Sequence, residues 1–379
     1  MTTTNFTPIG ILSLQETKPN YFVARRGQVV QGPWQWVVND TLVAAAPIKP
    51  GEERVIKTKR GQIYRTNDTE KFWQLFPTDP AESPRLVSES YFKAYFSFVG
   101  KIADLHLYRK NRAQRAMQFF PTLEMPRLLV HPDNLPDSQS PYELSAGDWL
   151  VNLGDSYYRW QQEWADKWIR PVDDAYQQND CLITNPNTRK EWIARAKTLY
   201  DNRVQLSSSA QVTILRNNEK EHTNEALICS ETDTVIAPWL ITTNLQLACL
   251  RQLSPEEHYR VVTPYGTVME SKCDAPHHIA WPPNNPGHIR ILDQGAVDKY
   301  HLVGRHGGFG KLWRKVVPTL AFQVTAEQFP EGIRVISKET PADNVPVAVP
   351  GDYVVYDGDG GFYHWKQNWA DKNIEIFTA

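Results

Sequence analysis

Residues 350–377 read PGDYVVYDGDGGFYHWKQNWADKNIEIF, and this stretch defines the structural unit of the chain. Its first residues, Pro350–Gly351, predict a turn, because proline presets φ and glycine accepts a positive φ. Aromatic and β-branched residues at 353–356 and 362–365 flank turn residues, which is the pattern of a β-hairpin. Residues 367–377 begin without a period of two and end with one, so they predict a short helix and a closing strand. The unit is expected to be a small β-rich module.

The same pattern occurs earlier in the chain. Residues 157–169 read YYRWQQEWADKWI and residues 362–374 read FYHWKQNWADKNI, so that eight of 13 positions are identical. Trp160 and Trp365 set the offset at 205 residues. Other identical pairs at this offset are Pro33 and Pro238, Trp34 and Trp239, Leu42 and Leu247, Leu107 and Leu312, Arg109 and Arg314, and Gln118 and Gln323. These matches indicate a tandem duplication.

A weaker repeat lies inside each half. Residues 50–76 copy the Pro-Gly turn, the hairpin and the closing aromatic strand, and their partner in the second half is 255–281. The predicted organisation is a first half at 1–172 with modules near 20–77 and 105–172, a helical bridge at 173–210, and a second half at 211–379 with modules near 225–282 and 310–379. The expected fold class is α+β, mainly β. It has two pseudo-twofold-related halves, each of two small antiparallel β modules with one or two short helices.

Two polar residues predict helix starts. Ser88 is expected to cap a helix whose apolar face runs from Tyr91 to Ile102, because large side chains there are spaced three and four apart. Asp293 is expected to cap its counterpart in the second half.

Composition limits the classes of function. The chain has 379 residues, a net charge of −2 and a pI near 6.6, so electrostatics alone predict no nucleic-acid partner. No stretch has the roughly 18 consecutive apolar residues of a membrane span, and MTTTNFTPIGILSL lacks a basic segment typical of a secretion signal. We therefore expect a cytoplasmic protein without a membrane partner. The oligomeric state is left open. None of the four cysteines has Cys-x-x-Cys spacing, which favours reduced thiols.

Five histidines lie close together in the second half of the sequence, which is a reason to consider a metal site. They are His277, His278, His288, His301 and His306. Their counterparts at the repeat offset are Phe72, Trp73, Ser83, Phe96 and Lys101. Because aromatic residues hold several of these positions, the preferred interpretation is packing, with no metal and no cofactor. The alternative is a metal site that uses His277, His278 and His288.

The familiar enzyme signatures are absent from the sequence. Residues 304–311 read GRHGGFGK, but a phosphate loop requires a different glycine spacing and a following helix, so the stretch predicts a turn. Neither a Gly-x-Ser-x-Gly nor a His-Glu-x-x-His motif occurs.

The tryptophans are the candidate binding residues, together with two nearby carboxylates. The candidates are Trp160, Trp164, Trp168, Trp365, Trp369, Asp148 and Asp352. An aromatic wall of this kind can stack a base, a sugar or a peptide side chain, but a module of this size also needs large side chains for its core. Both interpretations stay open. Trp168 is the most informative residue, because the second copy has Asn373 in its place, so the shared core is not expected to require it.

Two segments resemble a known family, the PGDY or PGDYG-type domain proteins of bacteria and phages. In that family a Tyr-Arg-Lys strand precedes an Ala-x-Gln segment and a Pro-Gly-Asp-Tyr hairpin. The pattern is carried by Trp313 to Lys315, Ala321 to Gln323 and Pro350 to Tyr353, and again by Tyr108 to Lys110, Ala116 to Gln118 and Gly147 to Trp149. The resemblance covers about a third of the chain. It implies a phage or mobile-element setting and no particular reaction.

Two functional hypotheses follow. The first is a non-catalytic binding protein that sequesters a small nucleotide-like ligand or covers a host protein. The second is an enzyme, of hydrolase or transferase type, with a histidine-containing site in the second half. The second hypothesis rests on the confinement of the histidines, Cys273 and the glycine-rich stretch to that half.

Overall fold

The computed structural model of the chain describes most of the two repeated halves. The described residues are 21–26, 29–49, 51–57, 63–66, 70–80, 82–110, 112–123, 125–131, 140–152, 156–172, 204–209, 211–215, 228–229, 234–254, 256–262, 268–270, 277–336, 345–356 and 361–377. Residues 173–203 of the predicted helical bridge lie outside this set.

Through residue 172 the described chain forms 15 strands and two helices. They are β1 (Phe22–Ala24), β2 (Gln35–Asn39), β3 (Leu42–Pro47), β4 (Val55–Lys57), β5 (Ile63–Arg65), β6 (Phe72–Pro77), β7 (Arg85–Ser88), α1 (Glu89–Tyr95), β8 (Phe96–Ile102), β9 (Leu105–Lys110), β10 (Gln114–Gln118), β11 (Leu128–Val130), β12 (Tyr142–Glu143), β13 (Trp149–Asn152), β14 (Tyr157–Trp160), α2 (Gln162–Trp168) and β15 (Ile169–Val172).

From residue 204 onward, the described residues form 18 strands and two helices. They are β16 (Val204–Leu206), β17 (Thr213–Leu215), β18 (Ile228–Cys229), β19 (Thr234–Ala237), β20 (Leu240–Asn244), β21 (Leu247–Gln252), β22 (Arg260–Val262), β23 (Val268–Glu270), β24 (His278–Trp281), β25 (Arg290–Leu292), α3 (Gln294–Val297), β26 (Tyr300–His306), β27 (Gly310–Lys315), β28 (Thr319–Gln323), β29 (Ile333–Val335), β30 (Val347–Ala348), β31 (Tyr353–Tyr356), β32 (Phe362–Trp365), α4 (Gln367–Asn373) and β33 (Ile374–Phe377).

The chain divides into two compact units. The first unit comprises 1–41 and 110–180, and its described strands form a five-stranded sheet, β14-β13-β10-β2-β15, and a three-stranded sheet, β1-β11-β12. The second unit comprises 42–109 and 181–379. Its sheets are β32-β31-β28-β20-β33, β7-β6-β3-β9-β8, β25-β24-β21-β27-β26, β18-β29-β30, β16-β19-β17, β4-β5 and β22-β23.

The elements recur along the chain at the offset that the sequence predicted. The strands β9, β10 and β14 and the helix α2 reappear at this offset as β27, β28, β32 and α4, while β31 begins one position earlier than the offset from β13 would place it. The order of β14-β13-β10-β2-β15 is repeated by β32-β31-β28-β20-β33, and that of β7-β6-β3-β9-β8 by β25-β24-β21-β27-β26. The prediction of a mainly β fold with short helices is confirmed. A pseudo-twofold relation between the halves stays a prediction.

Most of the strand pairs are antiparallel, as expected, but three are parallel: β1 with β11, β16 with β19, and β18 with β29. The terminal unit forms as its residue pattern predicts. Tyr353–Tyr356 pairs with Phe362–Trp365, and a seven-residue helix and a closing strand follow.

The helix predicted from Tyr91 to Ile102 is partly wrong. Ser88 is the N-cap, and its Oγ accepts a hydrogen bond from the Tyr91 backbone N–H at 3.1 Å. However, α1 ends at Tyr95, and residues 96–102 form β8. Burial along β8 largely alternates, and its aromatic and β-branched residues favour a strand over a longer helix. The Asp293 cap is confirmed, because its Oδ1 accepts from the Ala296 N–H at 2.7 Å.

None of the described helices exceeds seven residues, and none is long and apolar enough to cross a membrane.

Inside the second unit, the two five-stranded sheets with β3 and β21 at their centres share one apolar layer. Its buried members are Leu42, Ala44, Val99, Ile102, Leu107, Leu247, Cys249, Val303 and Leu312. Three pairs in this set are related by the repeat offset, namely Leu42 with Leu247, Ala44 with Cys249 and Leu107 with Leu312. Each sheet therefore buries its inner face against the other.

Replacing Leu107 with alanine is expected to lower the free energy of unfolding by about 2–5 kcal/mol, because it opens a cavity in this shared layer. Chemical denaturation measures the change. The matched control is Leu105→Ala on the same strand: Leu105 is 45% exposed and Leu107 is 0% exposed. Equal effects of the two substitutions would contradict the shared layer.

Candidate ligand-binding site

The Gly-Asp turn of the second copy connects a strand to a helix. The Asp352 carboxylate accepts two backbone hydrogen bonds, from Val349 N–H at 3.2 Å and from Gln367 N–H at 2.9 Å. Gln367 is the first residue of α4, and the N-cap of that helix, Lys366, makes no side-chain cap bond. Asp352 therefore satisfies an N–H group that the helix start leaves open.

Two glutamines complete this arrangement. The Gln323 Nε2 donates to the Gly351 carbonyl at 3.0 Å. Gly351 has φ of +97°, and a Cβ there would lie 2.3 Å from Oε1 of Gln367, so the position requires glycine. We call Gly351, Asp352, Gln323 and Gln367 the turn lock.

The first copy has the same lock, built from Gly147, Asp148, Gln118 and Gln162. Asp148 accepts from Ser145 N–H at 2.8 Å and from Gln162 N–H at 3.0 Å, and Gln118 donates to the Gly147 carbonyl at 3.0 Å. Both aspartates are buried. Their oxygens are engaged by backbone N–H groups, which explains the Gly-Asp and Ala-x-Gln pattern as a structural device.

An aromatic cluster adjoins each lock. In the first copy, Trp160 and Trp164 have ring centroids 5.3 Å apart at 47°, and both pack with Tyr158 on the buried layer of the sheet. In the second copy, Trp365 and Trp369 have centroids 5.3 Å apart at 45° and pack with Tyr363. All six rings are half-buried. We call these sets shelf A (Tyr158, Trp160, Trp164) and shelf B (Tyr363, Trp365, Trp369).

The structure separates Trp168 from shelf A. Its ring is 2% exposed, with the Lys167 Nζ 4.5 Å from the ring centroid. Its counterpart Asn373 is also buried and donates to the Trp369 carbonyl at 2.8 Å. The position is therefore an interior one in both copies, filled by a ring in one and by a hydrogen-bonded amide in the other.

Two further residues lie on the shelves and were not singled out as candidates from the sequence. Trp149 pairs with Trp160 across β13 and β14, and Tyr353 pairs with Trp365 in the second copy. The Trp149 Nε1 is buried and has no hydrogen-bond partner in the described part of the chain. Burial and the Asp371 carboxylate raise the pKa of Tyr353, which keeps its hydroxyl protonated. The signal in the sequence was the aromatic residue directly after each Gly-Asp pair.

His278 lies on β24, and His301 and His306 lie on β26. Within the described ranges, no group of three or more histidine, cysteine, aspartate or glutamate side chains is placed to hold a metal ion. Burial lowers the pKa of His278 and of His288, so both are biased toward the neutral form. His278 holds the position of Trp73, which stacks on Phe92 in the first copy with centroids 4.1 Å apart. The predicted alternative of a site with His277, His278 and His288 stays a prediction.

The glycine-rich stretch is the turn between β26 and β27. Gly307 N–H donates to the Thr78 Oγ1 at 3.2 Å, and a Cβ on Gly307 would lie 2.1 Å from the Thr78 carbonyl oxygen. A strand, and not a helix, follows the turn. The glycine therefore permits close packing of two backbones.

Cys249 is a free, buried thiol, and burial raises its pKa to about 11. Cys181 and Cys273 lie outside the described residues, as does the side chain of Cys229.

No protein-family model, curated protein or solved structure matches the chain.

Replacing Gly351 with alanine is expected to lower the free energy of unfolding by about 1–3 kcal/mol, because the backbone has a positive φ and Gln367 lies against it. The double variant with Gln367→Ala recovers part of the loss, since the contact is relieved and the φ strain remains. Gly361→Ala is the control, because no atom lies within 4 Å of its added Cβ. A Gly351→Ala variant as stable as the control would rule out the lock.

Proposed function

We propose that the chain is a non-catalytic binding protein whose shelves stack a small ligand with a flat, nucleobase-like ring. The observation that carries the proposal is the half-buried tryptophan pair present in both copies. At the base of shelf A, the Trp149 Nε1–H has no partner among the residues that the structure describes.

The shelf chemistry fits a planar ligand. Each tryptophan pair is tilted by about half a right angle (47° and 45°), so the indole faces are not stacked on each other. A partly exposed indole face stacks an aromatic ring without regard to its substituents, and such stacking contributes about 1–3 kcal/mol per base. The shelves are therefore expected to bind planar aromatic rings as a class, with little selectivity for one molecule.

The base of each shelf adds polarity. In shelf A the Trp149 indole supplies an N–H donor in an apolar setting, and a buried donor without a partner costs about 1–3 kcal/mol. The indole N–H is buried in the structure, so a ring nitrogen or carbonyl of the ligand satisfies this donor only if binding exposes it. In shelf B the equivalent residue is Tyr353, whose hydroxyl both donates and accepts. The two shelves thus share the stacking surface and differ in the hydrogen bond they offer.

The setting is part of the proposal. The resemblance to PGDY-type proteins supports a phage or mobile-element association, in which a protein of the cytoplasm sequesters a nucleotide-like ligand. The aspartate oxygens in each lock accept from backbone N–H groups, and Asp148 also pairs with Arg159 at 2.7 Å, so both carboxylates have a structural role. This supports binding over catalysis at the shelves.

The double variant Trp160→Ala, Trp365→Ala is expected to lose ligand affinity by roughly fivefold to a hundredfold, since one stacking surface is removed from each copy. Tryptophan fluorescence titration with a panel of nucleosides and nucleotides measures the affinity.

The matched control for this experiment is Trp36→Ala. Trp36 is a half-buried tryptophan of the first unit that lies outside the shelves, with Arg115 5.8 Å from its ring centroid. Absence of binding across the panel, or equal losses of affinity in the two variants, would contradict the proposal. The remaining hypothesis would be that the chain covers a host protein, which a pull-down experiment tests.

Trp149→Phe tests the polar base of shelf A alone. The substitution removes the Nε1–H and keeps an aromatic ring, so we expect a several-fold weaker affinity for ligands with a ring acceptor and a preserved fold. Calorimetric titration and a thermal melt measure the two properties. Unchanged affinity for every ligand that binds shelf A would show that the indole N–H makes no ligand contact.

A further inference from the structure

A two-stranded ribbon connects two paired strands in each copy. Strands β4 and β5 follow β3 and precede its partner β6, and β22 and β23 lie in the same way between β21 and β24. The register of the first ribbon pairs Val55 with Arg65 and Lys57 with Ile63. All four side chains are exposed, Val55 at 63% and Ile63 at 55%, whereas Ile56, between Val55 and Lys57, is half-buried. Because side chains alternate along a strand, the four lie together on one face, which we call the outer face of the first ribbon.

The outer face of the first ribbon combines two cations with two β-branched apolar side chains. Lys57 lies across the ribbon from Ile63, and Arg65 lies across from Val55, so neither cation faces a carboxylate across the ribbon. The two cations are diagonal neighbours, and so are the two apolar side chains. Each cation is therefore next to apolar groups, and the face has no continuous apolar strip.

Polar contacts that involve another cation hold the base of the first ribbon. The Arg54 N–H donates to the Thr66 Oγ1 at 2.9 Å, and the Thr66 N–H donates to the Arg54 carbonyl at 3.1 Å. The Arg54 guanidinium forms an ion pair with Glu52 at 2.6 Å and donates to the Gln74 side chain on β6. Arg54 therefore ties the ribbon to its sheet, and the cations on the outer face are different residues.

The second ribbon has the same register and different charges. Its outer face holds Arg260 and Glu270, which form an ion pair at 3.2 Å, and Val262, which pairs with Val268. That face is neutral, whereas the first ribbon's outer face has two positive charges. The surrounding sequences differ in the same sense, because 49–71 has seven basic and four acidic residues and 254–276 has two and four. The fold thus requires a ribbon but not a basic one, and the net charge of −2 conceals a positive region in one copy.

A regular polyanion with apolar groups between its charges is complementary to the first outer face. The major groove of B-form DNA is about 12 Å wide and admits a two-stranded ribbon, whose strands are only about 4.8 Å apart. Lysine and arginine bind phosphates or guanine edges, and apolar side chains contact the thymine methyl group. A lipid surface is less complementary, since the outer face has no continuous apolar strip to insert. Duplex RNA is less complementary as well, because side chains do not reach the bases in its deep, narrow major groove.

We propose that the outer face of the first ribbon binds double-stranded DNA, with the ribbon in the major groove and with Lys57 and Arg65 on phosphates or guanine edges. The second ribbon, whose outer face is neutral, does not take part. This interaction surface consists of residues other than those of the shelves and does not depend on the ligand of the shelves.

The test is fluorescence anisotropy with the full-length protein and a fluorescein-labelled DNA duplex about two helical turns long. We expect saturable binding whose affinity falls as the salt concentration rises, because contacts with phosphates release counterions. The double variant Lys57→Gln, Arg65→Gln is expected to weaken binding by about tenfold or more at low salt. It is also expected to reduce the slope of log K against log salt concentration by about 1–2. The melting temperature is expected to stay unchanged, since both side chains are exposed.

Ile63→Ser tests the apolar part of the outer face. The substitution removes an apolar group that is 55% exposed and keeps both cations, so we expect a several-fold weaker affinity with an unchanged salt dependence. Affinity equal to that of the unsubstituted protein would overturn the placement of the ribbon in the groove.

The matched control is the double variant Lys311→Gln, Arg334→Gln, which removes the same charge from two exposed residues on other strands. It is expected to bind the duplex with unchanged affinity. The shelf variant Trp160→Ala, Trp365→Ala is also expected to keep its affinity for the duplex. The proposal is overturned by absence of salt-dependent duplex binding, by equal losses of affinity in the ribbon and control variants, or by equal affinity for duplex RNA. Binding to phosphatidylserine-containing vesicles without binding to DNA would identify a lipid surface as the partner and overturn it as well.

Discussion

The buried guanidinium of Arg314 links the two five-stranded sheets that share an apolar layer in the second unit. Its Nε donates to the Asn244 carbonyl at 3.0 Å and its Nη1 to the Val99 carbonyl at 3.3 Å, so it bonds strands from both halves of the sequence. Burial lowers the pKa of Arg314 to about 10, and the Glu375 carboxylate opposes this shift. Removing the partners of a buried charge strongly destabilises a protein. The hydrogen bonds of Arg314 therefore fix the two sheets beside the leucines of the shared layer. Each sheet needs the other to bury its inner face.

Comparison of the two copies shows which residue types the fold requires. The turn lock uses glycine, aspartate and glutamine in both copies, because a positive φ, an open helix start and a close side-chain approach recur there. The position of Trp168 follows a different rule. Replacement by Asn373 suggested a residue free of the shared core, yet both side chains are buried. The amide is accommodated since Gln246 and the Trp369 carbonyl bond it, at 3.0 and 2.8 Å. A change of residue type at one offset therefore does not indicate exposure.

Local patterns predicted much of the fold. The Pro-Gly turn, the hairpin at 353–365 and the short helix follow from turn residues and period-two alternation, and the repeat offset carried them to the first half. Those local patterns do not predict which distant segments pair as strands. Phe96 to Ile102 has helical spacing next to a good N-cap, but pairing with β9 makes it a strand. The sequence marks the tryptophans of the shelves as candidates, whereas the lock role of Asp148 and the lack of a described partner for the Trp149 donor depend on distances between segments.

Features found in one copy alone are the ones that the fold does not explain. The five-stranded sheets have the same strand order in both copies, so their interiors are satisfied by either set of residues. The Trp149 indole keeps a buried donor without a described partner, although Tyr353 shows that a residue with a hydroxyl fits the same place in the second copy. A buried donor without a partner costs about 1–3 kcal/mol, so the stability of the fold does not explain the choice of tryptophan at this position.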